Sequence, residues 1–490
     1  MQNLHVVLGS PGCGKTTRML DLVDIELQKG TPPDRVGFVA FTKQASNEAK
    51  GRAMAKFGLS EDDLPFFSTL HSLAFRRLGL TREQVMDLGD YRELMKMMGL
   101  TIKQPYRADV LPDNRGDQIV FVDGLARLTG RSVQSIIAAN AFVFSNTHVS
   151  AYRETMANFK RIRAKVDFTD MLEMFTELHA PTLDCLFVDE AQDLSPLQWS
   201  MIRKLATNVP RMYVAGDDDQ AIYRWAGADV DAFLALGDRA QQVEVLPKSY
   251  RLPREIWAKA HTLLTRIKNR YPKQWEPARE GGTVRYAVMP QHVKNWESDS
   301  WLVLSRNRYQ LDLTEDYLRS QGYPYIIDRK WSTAGATLEA VFLWERLRAG
   351  QGLGREEALL VQRKLRDEYK SPVKLREDQD TFMFDDIKPG TREDWMTAIR
   401  VPPREREYYR HIRRRGESLK EKPRIILSTI HQAKGSEADH VLLLSDYSRA
   451  CYLGWIKDND SETRVFYVGA TRAKQSLTIM RPRTQYSFSV

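Results

Sequence analysis

Short apolar runs rich in β-branched residues punctuate the chain, each closed by a turn and followed by a helical spacing. They lie at residues 4–8, 36–41, Cys185–Val188, 212–215, 301–304, 425–430 and 441–444. Unbroken apolar runs fit parallel strands covered on both faces, where a half-exposed strand would alternate. The repeated strand-then-helix order predicts α/β architecture with parallel sheets. Two stretches break the rhythm. Residues from about 80 to 165 read as helical and polar, as in YRELMKMMGL and AYRETMANFKRIRAK. Residues from about 335 to 420 are helical and strongly charged. The expected organisation is therefore a first core at 1–80 and 166–245, interrupted by a helical insertion at 81–165. A second core at 246–334 and 421–490 is interrupted by a charged helical insertion at 335–420.

Length and composition narrow the class. A chain of 490 residues exceeds one ordinary core. Charged residues at 28% and hydrophobic residues at 42% are those of a soluble globular protein. No apolar run approaches the roughly 20 residues of a membrane helix, so no membrane partner is expected. The opening MQNLHVVLGSPG has no basic region before a long apolar stretch, so no secretory signal is expected. Cys13, Cys185 and Cys451 lie far apart and form no CxxC pair, which fits a reducing, cytoplasmic compartment better than a disulfide or zinc framework. A net charge of +9 points weakly to a polyanionic partner. Between Arg404 and Arg424 there are nine Lys or Arg against four Asp or Glu, read either as a solvated helical face or as a phosphate-contacting surface.

Gly9-Ser10-Pro11-Gly12-Cys13-Gly14-Lys15-Thr16, with Thr17 next, fits GxxxxGK[ST]. It follows a predicted strand and opens a predicted helix, the context such a loop requires. Its glycines let backbone N–H groups and the helix N-terminus face a phosphate. Lys15 is expected to reach the β- and γ-phosphates and the Thr16 hydroxyl to hold Mg²⁺. In CLFVDEAQD, Asp189 stands at a strand end as a second Mg²⁺ ligand, and Glu190 is placed to activate a water as general base. ATP and Mg²⁺ are the expected cofactors.

Beyond these, DEAQD, AGDDDQAIYRWAGAD, LPKSYR, STIHQAKGSEAD and ETRVFYVGATRA, together with FTKQASNEA and STLHSLAFR, resemble in order the motifs of UvrD/Rep-like superfamily 1 helicases. The matches run from Gly9 to Ala473. The resemblance implies two RecA-like P-loop cores with ATP between them and single-stranded DNA across their top. It implies that Gln220 senses the γ-phosphate, that Gln192 couples, and that Tyr250 stacks on the nucleobase. It also implies that Arg251 and Arg472 are aimed from the second core at the γ-phosphate and that Glu437 contacts the ribose. Taken alone, either arginine would read as a surface salt bridge. The chemistry agrees, since charge builds on phosphoryl oxygens during hydrolysis and an arginine can stabilise it.

A track for single strands needs base stacking and phosphate contacts. Phe41, Tyr223 and Trp225 fall where the family offers aromatics to bases. Thr42, Thr69, His71 and His431 fall where it makes polar backbone contacts. The plain alternative is core aromatics and capping hydroxyls. Asp167-Phe168-Thr169-Asp170 also resembles a family signature, but a helix start with Asp167 as N-cap explains it.

The pattern departs from the family in places. Ala226 stands where an arginine usually follows the motif tryptophan, and Lys43 and Gln44 stand where Asn and Lys are common. The second insertion, about 85 residues, is shorter than in large members. Only Met1, Gln2 and Asn3 precede the first strand, where the family places an adenine-reading glutamine, so loose nucleobase selectivity is expected. The chain ends 17 residues after Ala473, so no appended nuclease is expected.

The leading expectation is an ATP-dependent helicase moving 3′ to 5′ on single-stranded DNA and opening duplex junctions, with repair or replication proteins as partners. A translocase that strips proteins from DNA with little unwinding is the alternative. A small-molecule P-loop kinase would have no use for IHQAKG or ATRA. A DNA-binding module with a dead ATPase is opposed by the intact Lys15, Thr16, Asp189, Glu190, Gln220, Arg251 and Arg472. RNA as the track stays open, because stacking and phosphate contacts do not identify the sugar.

Overall fold

The computed structural model describes residues 3–41, 43–103, 112, 114–370 and 373–490, without the Gln44 side chain. Thr42 therefore lies outside the described residues. The chain divides into two compact units. One comprises Met1–Thr283 and Ala450–Thr471, the other Val284–Arg449 and Arg472–Val490. Residues 246–283, expected at the start of the second core, group with the P-loop unit.

The first unit is built on strands β1 (Asn3–Gly9), β2 (Val36–Ala40), β3 (Phe67–Thr69), β4 (Cys185–Val188), β5 (Arg211–Gly216) and β6 (Gln242–Leu246). They form one sheet in the order β3-β2-β4-β5-β1-β6, and each pairing is parallel. Side chains alternate between its faces. Leu4, Val6, Leu8, Val39, Leu186, Val188, Met212 and Val214 point to one core, shared with helices Leu70–Arg77, Phe168–Glu177 and Pro196–Leu205. Val7, Val36, Phe38, Cys185, Phe187 and Ala215 point to the other, with helices Lys15–Gln28 and Lys43–Phe57. Both faces are apolar, which is why the strands read as unbroken runs.

Between β3 and β4 the chain forms helices Leu88–Met97, Arg115–Thr129, Val133–Ala139 and Asn146–Arg163. They enclose their own core around Tyr91, Leu94, Phe121, Leu125, Tyr152 and Phe159. Asp167 caps helix Phe168–Glu177 by accepting from Asp170 N at 2.7 Å. It also ties this helix to the insertion through Arg127 at 2.8 Å and Lys160 at 2.5 Å. Burial would raise its pKa, but these two cations hold the carboxylate below its ordinary value. After β6 come β7 (Lys248–Pro253) and β8 (Glu276–Arg279), a small parallel pair.

The second unit carries β9 (Thr283–Ala287), β10 (Trp301–Ser305), β11 (Tyr325–Ile327), β12 (Lys330–Trp331), β13 (Ile425–Thr429), β14 (Ala438–Leu444) and β15 (Ala473–Met480). Their order is β12-β11-β13-β10-β14-β15-β9. The run from β11 to β15 is parallel, and β12 turns back antiparallel on β11. Between β12 and β13 lie helices Ala336–Arg348, Arg355–Lys364, Phe384–Ile387, Trp395–Ala398 and Pro403–Arg415. The architecture is α/β, with two parallel-sheet, RecA-like domains, each interrupted by helices. Among the described residues, no helix is long and apolar enough to cross a membrane.

Candidate nucleotide and nucleic-acid sites

In an open parallel sheet, ligand chemistry gathers beyond the carboxyl ends of the strands. Here the adjacent strands β4, β5 and β1 end at Val188, Gly216 and Gly9 and deliver Asp189, Asp217 and Ser10. The loop Ser10–Gly14 turns tightly, with Cys13 N donating to Ser10 O at 3.3 Å. Gly12 needs to be glycine twice over. Its φ is +72°, and a Cβ there would stand 2.3 Å from Arg251 Cβ. Gly14, at φ 82°, occupies the N-cap position of helix Lys15–Gln28 without a side chain to fill the loop. The helix N-terminus therefore faces the loop, the placement in which backbone amides and the helix dipole favour an anion.

Lys15 is buried and donates from Nζ to Gly9 O at 3.0 Å. Burial works against its ammonium, but Glu190, Cys13, Asp217 and Asp189 outweigh it and hold the pKa above the ordinary value. The Thr16 hydroxyl donates to Asp189 Oδ2 at 2.8 Å. Asp189 is pushed up to about 6, first by burial and then by Glu190, with Lys15 and Thr16 opposing. A half-buried hydroxyl paired with a buried carboxylate beside a second acid is a hard-oxygen donor set, and it fits Mg²⁺. Cys13 is buried and its thiol is raised by burial, so it is a packing residue of the loop. Thr17 is exposed and accepts from Arg52 Nη2 at 2.7 Å.

Glu190 adopts left-handed backbone angles, φ 53° and ψ 40°. Such a conformation in a residue other than glycine costs on the order of 1–3 kcal/mol and clusters at functional sites. Its amide is held by Asp189 Oδ1 at 2.9 Å and its carboxylate by Gln192 Nε2 at 2.5 Å. The Gln192 amide continues the chain, Oε1 accepting from Asp217 N at 3.0 Å. Gln220 Nε2 then donates to Asp217 Oδ2 at 2.7 Å. Four of the expected site residues, Asp189, Glu190, Gln192 and Gln220, thus share one hydrogen-bonded network with Asp217, and Lys15 feels the charge of its acids.

The β7 segment straps across the loop. Ser249 Oγ donates to Pro11 O at 2.6 Å and Tyr250 N to Gly12 O at 2.9 Å. The Tyr250 side chain is 65% exposed, as a stacking platform requires. Arg251 is half-buried in the same unit as the P-loop, its Cβ facing Gly12.

Glu437, Arg472 and His431 belong to the second unit. Arg472 is buried and donates to Ser436 O at 3.3 Å, while its own carbonyl accepts from Ala438 N at 3.1 Å. Glu437 pairs with Lys474 at 2.5 Å. His431 is buried at 2% exposure.

The residues expected along a DNA track have ordinary neighbours. Phe41 and Tyr223, both half-buried, stack on each other at 5.9 Å. Trp225 stacks on Phe121 of the helical insertion at 6.0 Å and packs against that insertion's core. Thr69 caps helix Leu70–Arg77 by accepting from Ser72 N at 3.2 Å. His71 meets Phe168 edge-on at 5.7 Å, and burial lowers its pKa to about 4 against the pull of Asp167.

Sequence reasoning passed over one group. Asp217, Asp218 and Asp219 are buried, and their carboxylates converge closely enough to hold a metal ion. The cation among them is the chain's own. Lys273 Nζ reaches Asp217 at 2.8 Å, Asp219 at 2.9 Å, and Asp218. Arg270 grips Asp219 through two bonds of 2.7 Å. The signal in the sequence was the DDD run at a strand end, since three adjacent buried acids require a cation.

Comparison with known proteins agrees with this geometry. The model of the UvrD/REP helicase N-terminal domain matches residues 1–241, and that of the UvrD-like helicase C-terminal domain matches residues 412–483. Together they take in well over half of the chain. The chain is 23% identical over 300 residues to the ATP-dependent DNA helicase PcrA of Bacillus subtilis, covering 57% of this chain and 40% of that protein. It is 25% identical over 306 residues to PcrA of Staphylococcus epidermidis, covering 56% and 40%. It is 25% identical over 300 residues to the ATP-dependent DNA helicase srs2 of Schizosaccharomyces pombe, covering 55% and 34%. The matched stretch thus spans about two fifths or less of these relatives' own length. With one family model matching the stretch that holds the P-loop and DEAQD and the other the stretch that holds Arg472, the chain belongs to the UvrD/Rep-like superfamily 1 helicases.

Proposed function

We propose that this chain is an ATP-dependent DNA helicase that moves 3′ to 5′ on single-stranded DNA and opens duplex at junctions. The observation that carries the reading is the continuous hydrogen-bonded path Glu190–Gln192–Asp217–Gln220 beside Lys15 and the P-loop. A strained acid, locked by its own neighbours, is what a residue orienting a water at a γ-phosphate needs.

In this reading Lys15 and the Gly9–Thr17 loop hold the phosphates, and Tyr250 stacks on the base. Glu190 draws the proton from water, while Gln220, Arg251 and Arg472 answer to charge on the γ-phosphate. Glu437 contacts the ribose. Thr16 and Asp189 would hold Mg²⁺, which supplies charge neutralisation at the β- and γ-phosphates. Phe41, Tyr223 and Trp225 with Thr42, Thr69, His71 and His431 serve the strand. DNA as the track is supported by the printed activity of the PcrA and srs2 relatives and by the net charge of +9. Polarity rests on the family resemblance. The cysteines are free, which suits a reducing compartment such as the cytoplasm around a nucleoid, where repair or replication proteins would be its partners.

Duplexes tailed at one end test the reading. With ATP and Mg²⁺, unwinding is expected from a 3′ single-stranded tail. Unwinding from a 5′ tail alone would overturn the polarity. DNA-stimulated ATPase without unwinding of either substrate would favour a translocase.

A further inference from the structure

The DDD run is a fixed part of the candidate ATP site. Its Asp217 joins the path at three points. The backbone N–H holds Gln192, Oδ2 takes the Gln220 amide, and Oδ1 takes Lys273 at 2.8 Å. A carboxylate only accepts, so Gln220 must turn its NH₂ toward Asp217 and present Oε1 on the opposite side. The same logic fixes Gln192, whose oxygen meets an N–H and whose nitrogen meets the Glu190 carboxylate. The orientation of both amides therefore depends on where Asp217 stands.

Lys273 decides that position. Its side chain is fully buried, and its ammonium spends its three hydrogens on Asp217, Asp218 and Asp219. The lysine is itself pinned. Tyr271 N donates to Asp218 Oδ2 at 2.8 Å, and Lys268 and Asn269 amides donate to Asp460 at 3.0 and 2.8 Å. Arg464, 1% exposed, donates to Asp218 O at 2.8 Å and also to Asn269 O. No side chain of this group belongs to the P-loop, DEAQD or the two candidate arginines.

We propose that Lys273 is a positioning residue for ATP hydrolysis, acting through Asp217 to set the side-chain amides of Gln220 and Gln192 against Glu190. The proposal rests on the ATPase reading above. It adds that the segment 268–273, which lies outside every nucleotide motif named above, controls the catalytic step and not nucleotide affinity.

The test is steady-state ATP hydrolysis by the full chain on saturating single-stranded DNA. Lys273→Met alone strands three buried carboxylates and threatens the fold. The charge-balanced pair Lys273→Met/Asp218→Asn and the isosteric Asp217→Asn avoid that. For both, kcat is expected to fall by about a hundredfold, the cost of a small misplacement near the reacting atoms. KM for ATP is expected to stay within about threefold, since ground-state binding is untouched. In a Gln220→Ala background the same changes should lower kcat by clearly less than in the unmodified chain, because one of the two amides they act through is already gone and residues acting as a unit are not additive. Unchanged kcat in the folded variants, or losses that multiply with Gln220→Ala, would overturn the inference. If the unmodified chain hydrolyses no ATP, the ATPase reading falls and takes the inference with it. Turnover in the unmodified chain with unchanged variants sinks the inference alone.

Discussion

The acids beyond β4 and β5 and the aromatic stretch from Phe41 to Trp225 lie in one compact unit, yet they spend their contacts differently. Around Glu190 the polar groups bond chiefly to other members of the candidate site, so Gln192, Asp217 and Gln220 close on one another. Glu190 also holds a left-handed backbone there, a conformation that occurs at functional sites. Among the described residues of the candidate track in this unit, each has a structural duty already. Thr69 caps a helix, Trp225 covers Phe121, and Phe41 meets Tyr223. Phosphate chemistry thus draws polar side chains onto one another, whereas a base-stacking aromatic can hold the fold and the strand with the same ring. Substitution should therefore separate the two regions.

The largest effect is expected at the nucleotide site. Lys15→Ala should remove most ATP turnover with little change in the thermal unfolding midpoint. Arg472→Ala should cost about 10³-fold or more in kcat, the usual worth of an arginine that stabilises a transferring phosphoryl group. Full DNA-stimulated turnover in Arg472→Ala would remove this residue from the site. Trp225→Ala comes next. Losing one base-aromatic stack should weaken single-strand binding by about 1–3 kcal/mol and leave basal ATPase unchanged. If the variant unfolds while affinity per folded molecule is unchanged, the ring belongs to the core with Phe121, and the comparison sharpens further.

How far the sequence reached follows from the same physics. All seven unbroken apolar runs are strands, with ends shifted by a few residues at most. The runs found are those with both faces covered. Strands β3, β6, β12 and β9 escaped because they lie at sheet edges and are short or half-exposed, as in QVEVL of β6. Two interior strands also escaped, β11 because it is only three residues long and β15 because it begins AKQS, and the polar start hides it. In the site, the P-loop and DEAQD were legible because neighbours in sequence act together. Lys273 was not, because its bond to Asp217 spans 56 positions and no local pattern announces it. The segment 246–283 read as the start of the second core because the resemblance places it there, yet its hydrogen bonds run to Pro11, Gly12, Asp218 and Asp219.

Smaller effects test the track residues from the side of stability. Thr69→Ala should lower unfolding free energy by about 1 kcal/mol through the lost cap. No loss would leave its hydroxyl to the strand alone. For His71 the expected signature is a pH slope. Its folded pKa of about 4 lies below the unfolded value of about 6.5, so the unfolded chain binds the extra proton first. That stability is present above about pH 6.5 and is lost as pH falls toward 4. His71→Gln should therefore flatten the decline of the unfolding midpoint over this window. A decline equal to that of the unmodified chain would assign the slope to other groups.

The most direct measurement is ATP hydrolysis by the full chain with Mg²⁺, with and without single-stranded DNA, beside Lys15→Ala. The site described above predicts turnover that rises when DNA is added and a Lys15→Ala variant that is folded and flat in both conditions. Turnover in Lys15→Ala equal to that of the unmodified chain, or none in the unmodified chain with DNA present, would contradict it.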